Sequence, residues 1–302
     1  MPLITQTALV LGFQYALVAM ALFLSYRILD IADLTTDGCF VLGAAVSVTM
    51  AAAGHPILAI PAAMAAGACA GAVTAFLQTR MGVPSILAGI ITNTGLYTVN
   101  FMAMGRKANV SLLRAETMFT LLRGNGPANG WIELLLSAGI AILAGALLYL
   151  FLGTRLGLSI RATGDNRDMV RASSVDPSFT VTVGLCVANA LTALSGAVVG
   201  QYQKTVDINL GTGIVVIGLA CLIIGETVLG RRTIAKGIVA VMVGSIIYRL
   251  IYAYVSYTKV VPVECLKLVT AIVVALAIAA PTIKSGASFE KRKLTAGRKG
   301  GR

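Results

Sequence analysis

Polar side chains interrupt otherwise apolar stretches of this chain at two places where they could bind a small solute. Asn93, Tyr97 and Asn100 form the first group, and their spacings of four and three residues put them on one face of a helix. The second group is a set of carboxylates that precede apolar runs, namely Asp33, Asp37 and Asp207. Polar groups in an apolar setting need a partner or a cavity, so both groups are candidates for a solute path. Interhelical hydrogen bonding by the amides, and a solvated loop around the carboxylates, are the alternative interpretations.

No motif for covalent or metal chemistry accompanies these residues. The chain has one histidine, His55, and five cysteines that stand singly in apolar segments, which provides neither a zinc site nor a catalytic triad. A G-x-x-x-x-G-K-[ST] phosphate-binding loop is also absent, so the chain cannot hydrolyse a nucleotide by itself. We therefore expect no enzyme activity, no metal and no cofactor in this chain. The energy for its function must come from a partner protein or from a gradient.

A short charged segment between two long apolar runs is the third candidate site. Residues 154–177 contain Arg155, Arg161, Arg167 and Arg171 and have the composition of a soluble helix. We predict that Asp165 is the N-cap of this helix and that Asp168 is the acidic partner in a capping box. Met169 and Ala172 then share a small apolar face. Such a helix is suited to docking against another protein.

Membrane-spanning helices must position all of these residues. Of the 302 residues, 57% are hydrophobic and only 12% are charged. This hydrophobic fraction exceeds that of a typical soluble domain. Apolar windows of about 17 to 25 residues match the thickness of a bilayer, and weak alternation excludes a β-barrel. The predicted fold class is an all-α polytopic membrane protein with about 8–10 transmembrane helices in one domain, residues 1–282. The nine spans that we assign are 7–26, 38–54, 56–79, 84–104, 131–153, 178–200, 211–229, 236–256 and 262–282. The short second span, or the stretch before it, is a candidate for an interrupted helix.

The distribution of lysine and arginine predicts the orientation of the chain. The net charge is +12, and the cations concentrate in the 154–177 loop, the 230–236 loop and the tail at 283–302, all on one side when the spans alternate. The positive-inside rule makes that side cytoplasmic and leaves the N-terminus outside. We expect the tail to be disordered and to contact lipid rather than nucleic acid, because no aromatic residues accompany its charges. Residues 105–130 are basic yet fall outside, and we predict an amphipathic segment on the membrane surface there.

Similar sequence patterns occur in the two halves of the chain. Asp33 precedes GCFVLG at 38–43, and Asp207 precedes GIVVIG at 213–218, and each motif opens an apolar span. The copies would cover 33–104 and 207–282 with three spans each and opposite directions across the membrane. An inverted repeat of this kind is typical of transporters. Chance recurrence of G-x-x-x-x-G in apolar sequence explains this similarity equally well.

Longer runs resemble a known family across most of the chain, from about Arg27 to Pro281. In the second half they are RATGDNRDMVRASSVDPS, LCVANALTALSGAVVGQYQ and GIVVIGLACLIIGE, and in the first half DLTTDGCFVLGAAVSV and LAGIITNTGLYTVNFMAMGRKANVSLL. Together these runs resemble the permease subunit of ABC importers in the branched-chain amino acid and ribose group, and they are similar to its tryptophan/tyrosine-type permeases.

The resemblance implies a homodimeric permease in the bacterial plasma membrane, served by a cytoplasmic ABC ATPase that uses ATP and Mg and by an extracytoplasmic solute-binding protein. It also implies that the cytoplasmic loop couples transport to that ATPase. The coupling residues would be Gly164, Asp165, Arg167, Asp168, Met169, Arg171 and Ala172. The expected solute is an amino acid or a similar small polar molecule. The alternative is a gradient-driven transporter or channel that acts without an ATPase through Asp33, Asp37, Glu226 or Arg249.

Overall fold

The chain folds into a helical bundle with one small β-ribbon. The structure is a computed structural model that describes residues 2–112, 115–122, 129–230 and 233–257, together with Ala275. Its helices are α1 (Pro2–Leu22), α2 (Thr36–Ala52), α3 (Ala59–Thr79), α4 (Ser85–Ala103), α5 (Met118–Leu122), α6 (Asn129–Gly153), α7 (Arg155–Asp165), α8 (Arg167–Ala172), α9 (Pro177–Gln203), α10 (Ile214–Leu229) and α11 (Ile234–Tyr257). A π-helical turn, Phe23–Ile28, extends α1, and the strands are β1 (Asn109–Ser111) and β2 (Thr205–Asp207).

Six helical stretches of the described chain are long and apolar enough to cross a membrane. They are Ile4–Ile28, Ala59–Thr79, Ser85–Ala103, Trp131–Gly153, Pro177–Gln203 and Ile234–Tyr257. The shorter helices α2 and α10 are also apolar and coincide with the second and seventh predicted spans. The all-α polytopic fold is therefore confirmed. The ninth predicted span, apart from Ala275, and the basic tail lie outside the described residues, so the internal repeat remains a prediction.

Helix α9 lies at the centre of the bundle and packs against α1, α2 and α3. Glycines allow this close approach. Gly43 and Gly196 lie directly against the backbone of Ala193 and Phe40, and a Cβ at Gly67 would lie 2.5 Å from the carbonyl oxygen of Asn189. Small residues replace hydrophobic burial as the main packing device in a membrane, because lipid tails are as apolar as the side chains.

The non-helical segment between α1 and α2, residues 29–35, runs back into the bundle and is called the re-entrant segment below. Leu29 contacts α9 at Gly184, and Asp33 reaches Asn189 near the middle of the same helix. Helix α2 therefore begins inside the bundle and not at its surface. This explains why the second span is short, and it agrees with the interrupted helix considered at this position.

The β-ribbon joins two loops at one end of the bundle. β1 pairs antiparallel with β2, with Asn109 opposite Asp207. This pairing puts the 105–130 and 201–210 loops on the same side, as the alternation of spans requires. The amphipathic segment predicted there is partly buried. Met118 and Phe119 of α5 pack on the end of α9, with the Phe119 and Tyr202 ring centroids 5.5 Å apart, whereas Leu121 and Leu122 are exposed. Its placement on the membrane surface stays a prediction.

Basic residues mark the opposite end of the bundle as cytoplasmic. The cations at the α7–α8 end are Arg27, Arg80, Arg155, Arg161, Arg167, Arg171 and Lys236, whereas those described at the ribbon end are Arg106, Lys107 and Lys204. By the positive-inside rule, the ribbon then faces the extracytoplasmic side.

A glycine substitution tests the packing of α2 on α9. We expect Gly196→Ala to destabilise the bundle by about 1–3 kcal/mol, because the added methyl group would collide with the carbonyl group of Phe40. Gly139→Ala in α6 is the matched control, since nothing lies within 4 Å of its added Cβ. Thermal unfolding in detergent should show a lower melting temperature for Gly196→Ala alone. Equal melting temperatures for the two variants would contradict this packing.

Candidate functional site

A cavity of about 330 Å³ lies where the beginnings of α2 and α10 meet α4. Three parts of the chain line it. Helix α2 contributes Asp37, Gly38 and Val41, and α4 contributes Asn93, Thr94, Tyr97 and Asn100. The segment between β2 and α10 contributes Ile208, Asn209, Gly211 and Thr212. The predicted polar stripe of α4 therefore faces the carboxylate of α2 across one space.

Asp37 joins α2 to the beginning of α10. Its Oδ2 accepts a hydrogen bond from the backbone N–H of Gly213 at 3.0 Å, and its Oδ1 accepts one from the N–H of Val215 at 2.9 Å. Gly213 has φ +84°, a conformation that favours glycine. A carboxylate at a helix N-terminus satisfies free N–H groups and complements the helix dipole. Asp37 thus fixes the relative position of the two short helices.

Two amides of α4 pack against the first turn of α2. Asn100 is buried, and its Nδ2 donates a hydrogen bond to the carbonyl of Gly38 at 3.0 Å. Asn93 fills the space that a side chain on residue 38 would occupy, so Gly38 is needed for this contact. Tyr97 is 55% exposed on the same stripe. These contacts make the amides part of the cavity wall.

Two predicted solute-path residues lie elsewhere. Asp33 is 4% exposed, and its carboxylate accepts hydrogen bonds from the N–H of Thr35 at 2.9 Å and from Nδ2 of Asn189 at 2.7 Å. It therefore holds the re-entrant segment. Asp207 lies in β2 and accepts from the N–H of Asn209 at 2.8 Å, next to the cavity but outside its lining. The other four predicted solute-path residues all line the cavity; they are Asp37, Asn93, Tyr97 and Asn100.

Sequence reasoning missed Asn189 and Thr212. Asn189 is an amide in the middle of an apolar span, and that position alone marks a residue that needs a polar partner. Thr212 lies in the irregular run before α10, where no periodic pattern exists to place a side chain.

The charged segment at 154–177, between the fifth and sixth predicted spans, forms two helices, α7 and α8, where one was predicted. Asp165 is the last residue of α7 and does not cap the next helix. Asn166 does so, and its Oδ1 accepts hydrogen bonds from the N–H groups of Asp168 at 3.0 Å and Met169 at 3.1 Å. The prediction for Asp165 is wrong because Asn166 has the extended backbone that an N-cap needs, with φ −160° and ψ 106°.

Six of the seven predicted coupling residues are exposed, and the seventh, Gly164, packs against the bundle. The exposed group consists of Asp165, Arg167, Asp168, Met169, Arg171 and Ala172. Val170 is only 3% exposed and anchors α8 to the bundle. Gly164 differs from the others, because its Cα lies directly against the backbone of Ile28 and leaves no room for a side chain.

Helix α7 is thereby joined to the π-helical turn that leads into the re-entrant segment. Besides the contact of Gly164 with Ile28, the hydroxyls of Thr163 and Thr180 lie 2.8 Å apart and link α7 to α9. Nε of Arg27 in the same turn lies 3.2 Å from Oε1 of Glu226 in α10. π-Helical turns occur frequently at functional sites.

Arg249, one of the residues named for the gradient-driven alternative, lies over two aromatic rings. Its guanidinium carbon lies 3.5 Å from the centroid of the Tyr15 ring and 5.7 Å from that of Tyr252. A cation over aromatic faces is a common arrangement inside a protein.

Comparison with known proteins identifies the family. The family described as branched-chain amino acid transport system, permease component, matches residues 4–279. The chain belongs to this family. A tyrosine transport system permease protein of Clostridioides difficile strain R20291 is 32% identical over 261 residues, which are 86% of this chain and 85% of the relative. An uncharacterized protein of Rickettsia prowazekii strain Madrid E is 30% identical over 265 residues, 86% of this chain and 91% of the relative. No solved structure matches.

This membership confirms the resemblance found in the sequence. With its long apolar helices, the permease is a multi-pass protein of the bacterial plasma membrane. It belongs to the permease subunits of ABC transport systems, so its own role is transport and not catalysis.

Replacing each of two asparagines distinguishes Asn189, whose amide stabilises the fold, from Asn93, whose amide lines the cavity. We expect Asn189→Leu to lower stability by about 1.5–3 kcal/mol, because the buried carboxylate of Asp33 loses a hydrogen bond. The same change at Asn93, which lines the cavity, should leave the melting temperature nearly unchanged. Thermal unfolding of both variants in detergent measures the difference. A larger loss for Asn93→Leu would contradict these assignments.

Proposed function

We propose that this permease is the membrane subunit of an ATP-binding-cassette importer, in which solute passes through the cavity at Asp37 and α8 contacts a cytoplasmic ATPase. One observation supports this proposal most. A continuous connection runs from α7, through the contact of Gly164 with Ile28, along the re-entrant segment to Asp37. A movement imposed on α7–α8 from the cytoplasm therefore has a direct mechanical route to the cavity.

The exposed surface of α8 suits a partner protein. Met169 is 56% exposed and stands between charged neighbours, which is the composition of an interface with an apolar centre and a polar rim. Its position at the cytoplasmic end is where an ATPase that uses ATP and Mg would bind. In this proposal the ATPase performs all nucleotide chemistry.

The opposite side of the cavity supports delivery of solute from outside. The segment 208–212 lines the cavity directly after β2, at the extracytoplasmic end of the bundle. A solute-binding protein that docks on the ribbon would release its cargo next to this opening. The tyrosine transport relative supports an amino acid as the solute.

A second copy of the chain is part of the proposal. Helix α4 exposes Ile90, Ile91, Tyr97 and Val99 beside the cavity. Packing of this surface against a second permease would enclose the cavity between two protomers and give a central path.

The gradient-driven alternative has less support, because the carboxylates it would use already have structural partners. Asp33 is hydrogen bonded to Asn189, Glu226 is paired with Arg27, and Asp37 caps α10. A residue that carries an ion across the membrane must be able to exchange its partners.

Association with the ATPase tests the proposal directly. We expect a nucleotide-binding subunit to copurify with the tagged permease from its native membrane. Met169→Glu should reduce the copurified ATPase about tenfold or more, since a carboxylate would be buried in the interface. Lys107→Glu, at the ribbon end, introduces the same residue far from this interface and serves as the control.

Two results would contradict the proposal. The first is a wild-type permease that purifies without any nucleotide-binding subunit. The second is full retention of the ATPase by Met169→Glu in protein that is inserted and monodisperse.

A further inference from the structure

A second cavity lies at the cytoplasmic end of the bundle, between the end of α3 and the beginning of α9. It has a volume of about 320 Å³ and is called the cytoplasmic cleft below. The α3 side contributes Phe76 and Arg80, and the α9 side contributes Asp176, Ser178 and Phe179. None of these residues lines the solute cavity or belongs to the predicted coupling residues. The cleft therefore has no part in the proposed function.

The cleft contains two opposite charges that are not paired with each other. Arg80 is exposed, and its guanidinium group has no hydrogen bond or ion pair within the part of the chain that the structure describes. Asp176 is also exposed, and its Oδ1 caps α9 by accepting from the N–H of Ser178 at 2.8 Å. This bond uses only part of the acceptor capacity of the carboxylate. The cleft thus offers one place for an anion and another for a cation.

Two exposed aromatic side chains lie on the membrane side of these charges. Phe76 precedes Arg80 by about one helical turn, and Phe179 follows Asp176 by about one turn. Because α3 ends and α9 begins at the cytoplasmic face, both rings lie deeper in the membrane than the charges. Phe76 is 56% exposed and Phe179 is 54% exposed. A charged layer above an apolar layer is the order of groups in a phospholipid, whereas a small soluble zwitterion has no acyl chain to cover the rings.

We propose that the cytoplasmic cleft binds a phospholipid of the cytoplasmic leaflet whose head group carries a primary ammonium group, as that of phosphatidylethanolamine does. Arg80 binds the phosphodiester, which a guanidinium group recognises through paired hydrogen bonds. Asp176 accepts a hydrogen bond from the ammonium group. The acyl chains lie against Phe76 and Phe179. This inference goes beyond the proposed function and depends on neither the solute nor the ATPase.

Other phospholipids match only one of the two charges. Phosphatidylglycerol has the phosphodiester but no ammonium group, so Asp176 would repel its net negative charge. Phosphatidylcholine has a quaternary ammonium group, which cannot donate a hydrogen bond to Asp176. A basic surface without a carboxylate would instead favour the anionic lipid. The order of preference among the three head groups therefore tests the proposal.

A tryptophan placed in the cleft reports which lipid binds there. The reporter is the full chain with Phe179→Trp, in which the single native tryptophan is removed by Trp131→Phe. Lipids with brominated acyl chains quench a nearby tryptophan, so quenching in vesicles that mix a brominated lipid with a bromine-free one gives their relative affinities. We expect phosphatidylethanolamine to bind about three- to tenfold more tightly than phosphatidylglycerol or phosphatidylcholine.

Variants of the two charges should change the affinity for phosphatidylglycerol in opposite directions. Asp176→Asn keeps a good N-cap for α9 but removes the negative charge. It should raise the affinity for phosphatidylglycerol relative to phosphatidylcholine about threefold or more and abolish the preference for phosphatidylethanolamine. Arg80→Gln should lower the same relative affinity by a similar factor. Arg155→Gln, which changes an arginine at the same end outside the cleft, is the control and should leave all ratios unchanged.

Three results from the lipid mixtures would overturn the proposal: equal binding of the three lipids to the reporter, an unchanged preference for phosphatidylethanolamine in Asp176→Asn, or an effect of Arg155→Gln as large as that of Arg80→Gln. Free L-tyrosine is the soluble zwitterion added as a competitor. Loss of quenching by brominated phosphatidylethanolamine on its addition would show that a soluble molecule occupies the cleft, and this would also overturn the proposal.

Discussion

The architecture depends on how seven non-helical residues are accommodated inside a membrane bundle. The re-entrant segment cannot use lipid to satisfy its backbone, so protein groups must do so. Asp33 accepts from the N–H of Thr35 and from Asn189, and the hydroxyl of Thr36 donates to the Asp33 carbonyl at 3.1 Å. These bonds allow α2 to begin in the middle of the bundle. Only from that depth can Asp37 reach the first turn of α10.

Helix α9 supplies the fixed frame for this arrangement. It offers Asn189 to the re-entrant segment, and Gly196 lets α2 approach its backbone. Near its cytoplasmic end, Thr180 contacts α7 through Thr163. One helix therefore holds both ends of the proposed route, while the parts between them are a π-helical turn and a non-helical segment. In this account, the rigid element is α9 and the deformable elements lie between α7 and the cavity.

The sequence predicts some of these features well and others poorly, for physical reasons. The spans follow from apolar windows, and the cavity stripe on α4 follows from helical spacing, because both are local patterns. The hydrogen bond between Asp33 and Asn189 could not be predicted, because the two residues lie 156 positions apart in the sequence. Asp165 and Asn166 are both good capping residues, and only the backbone conformation decides between them. The ribbon has three-residue strands, which are too short to show a period.

A distance measured across the cavity tests most directly whether movement of α7 changes the shape of the cavity. Spin labels at Tyr97 and Asn209, in a permease–ATPase complex freed of its native cysteines, report the cavity width by the dipolar broadening of their continuous-wave spectra. We predict that a non-hydrolysable ATP analogue shifts this distance in the wild type and in Gly153→Leu, whose added side chain meets open space. Gly164→Leu, which separates α7 from Ile28, should abolish the shift while nucleotide still binds. An unchanged shift in Gly164→Leu would contradict the account.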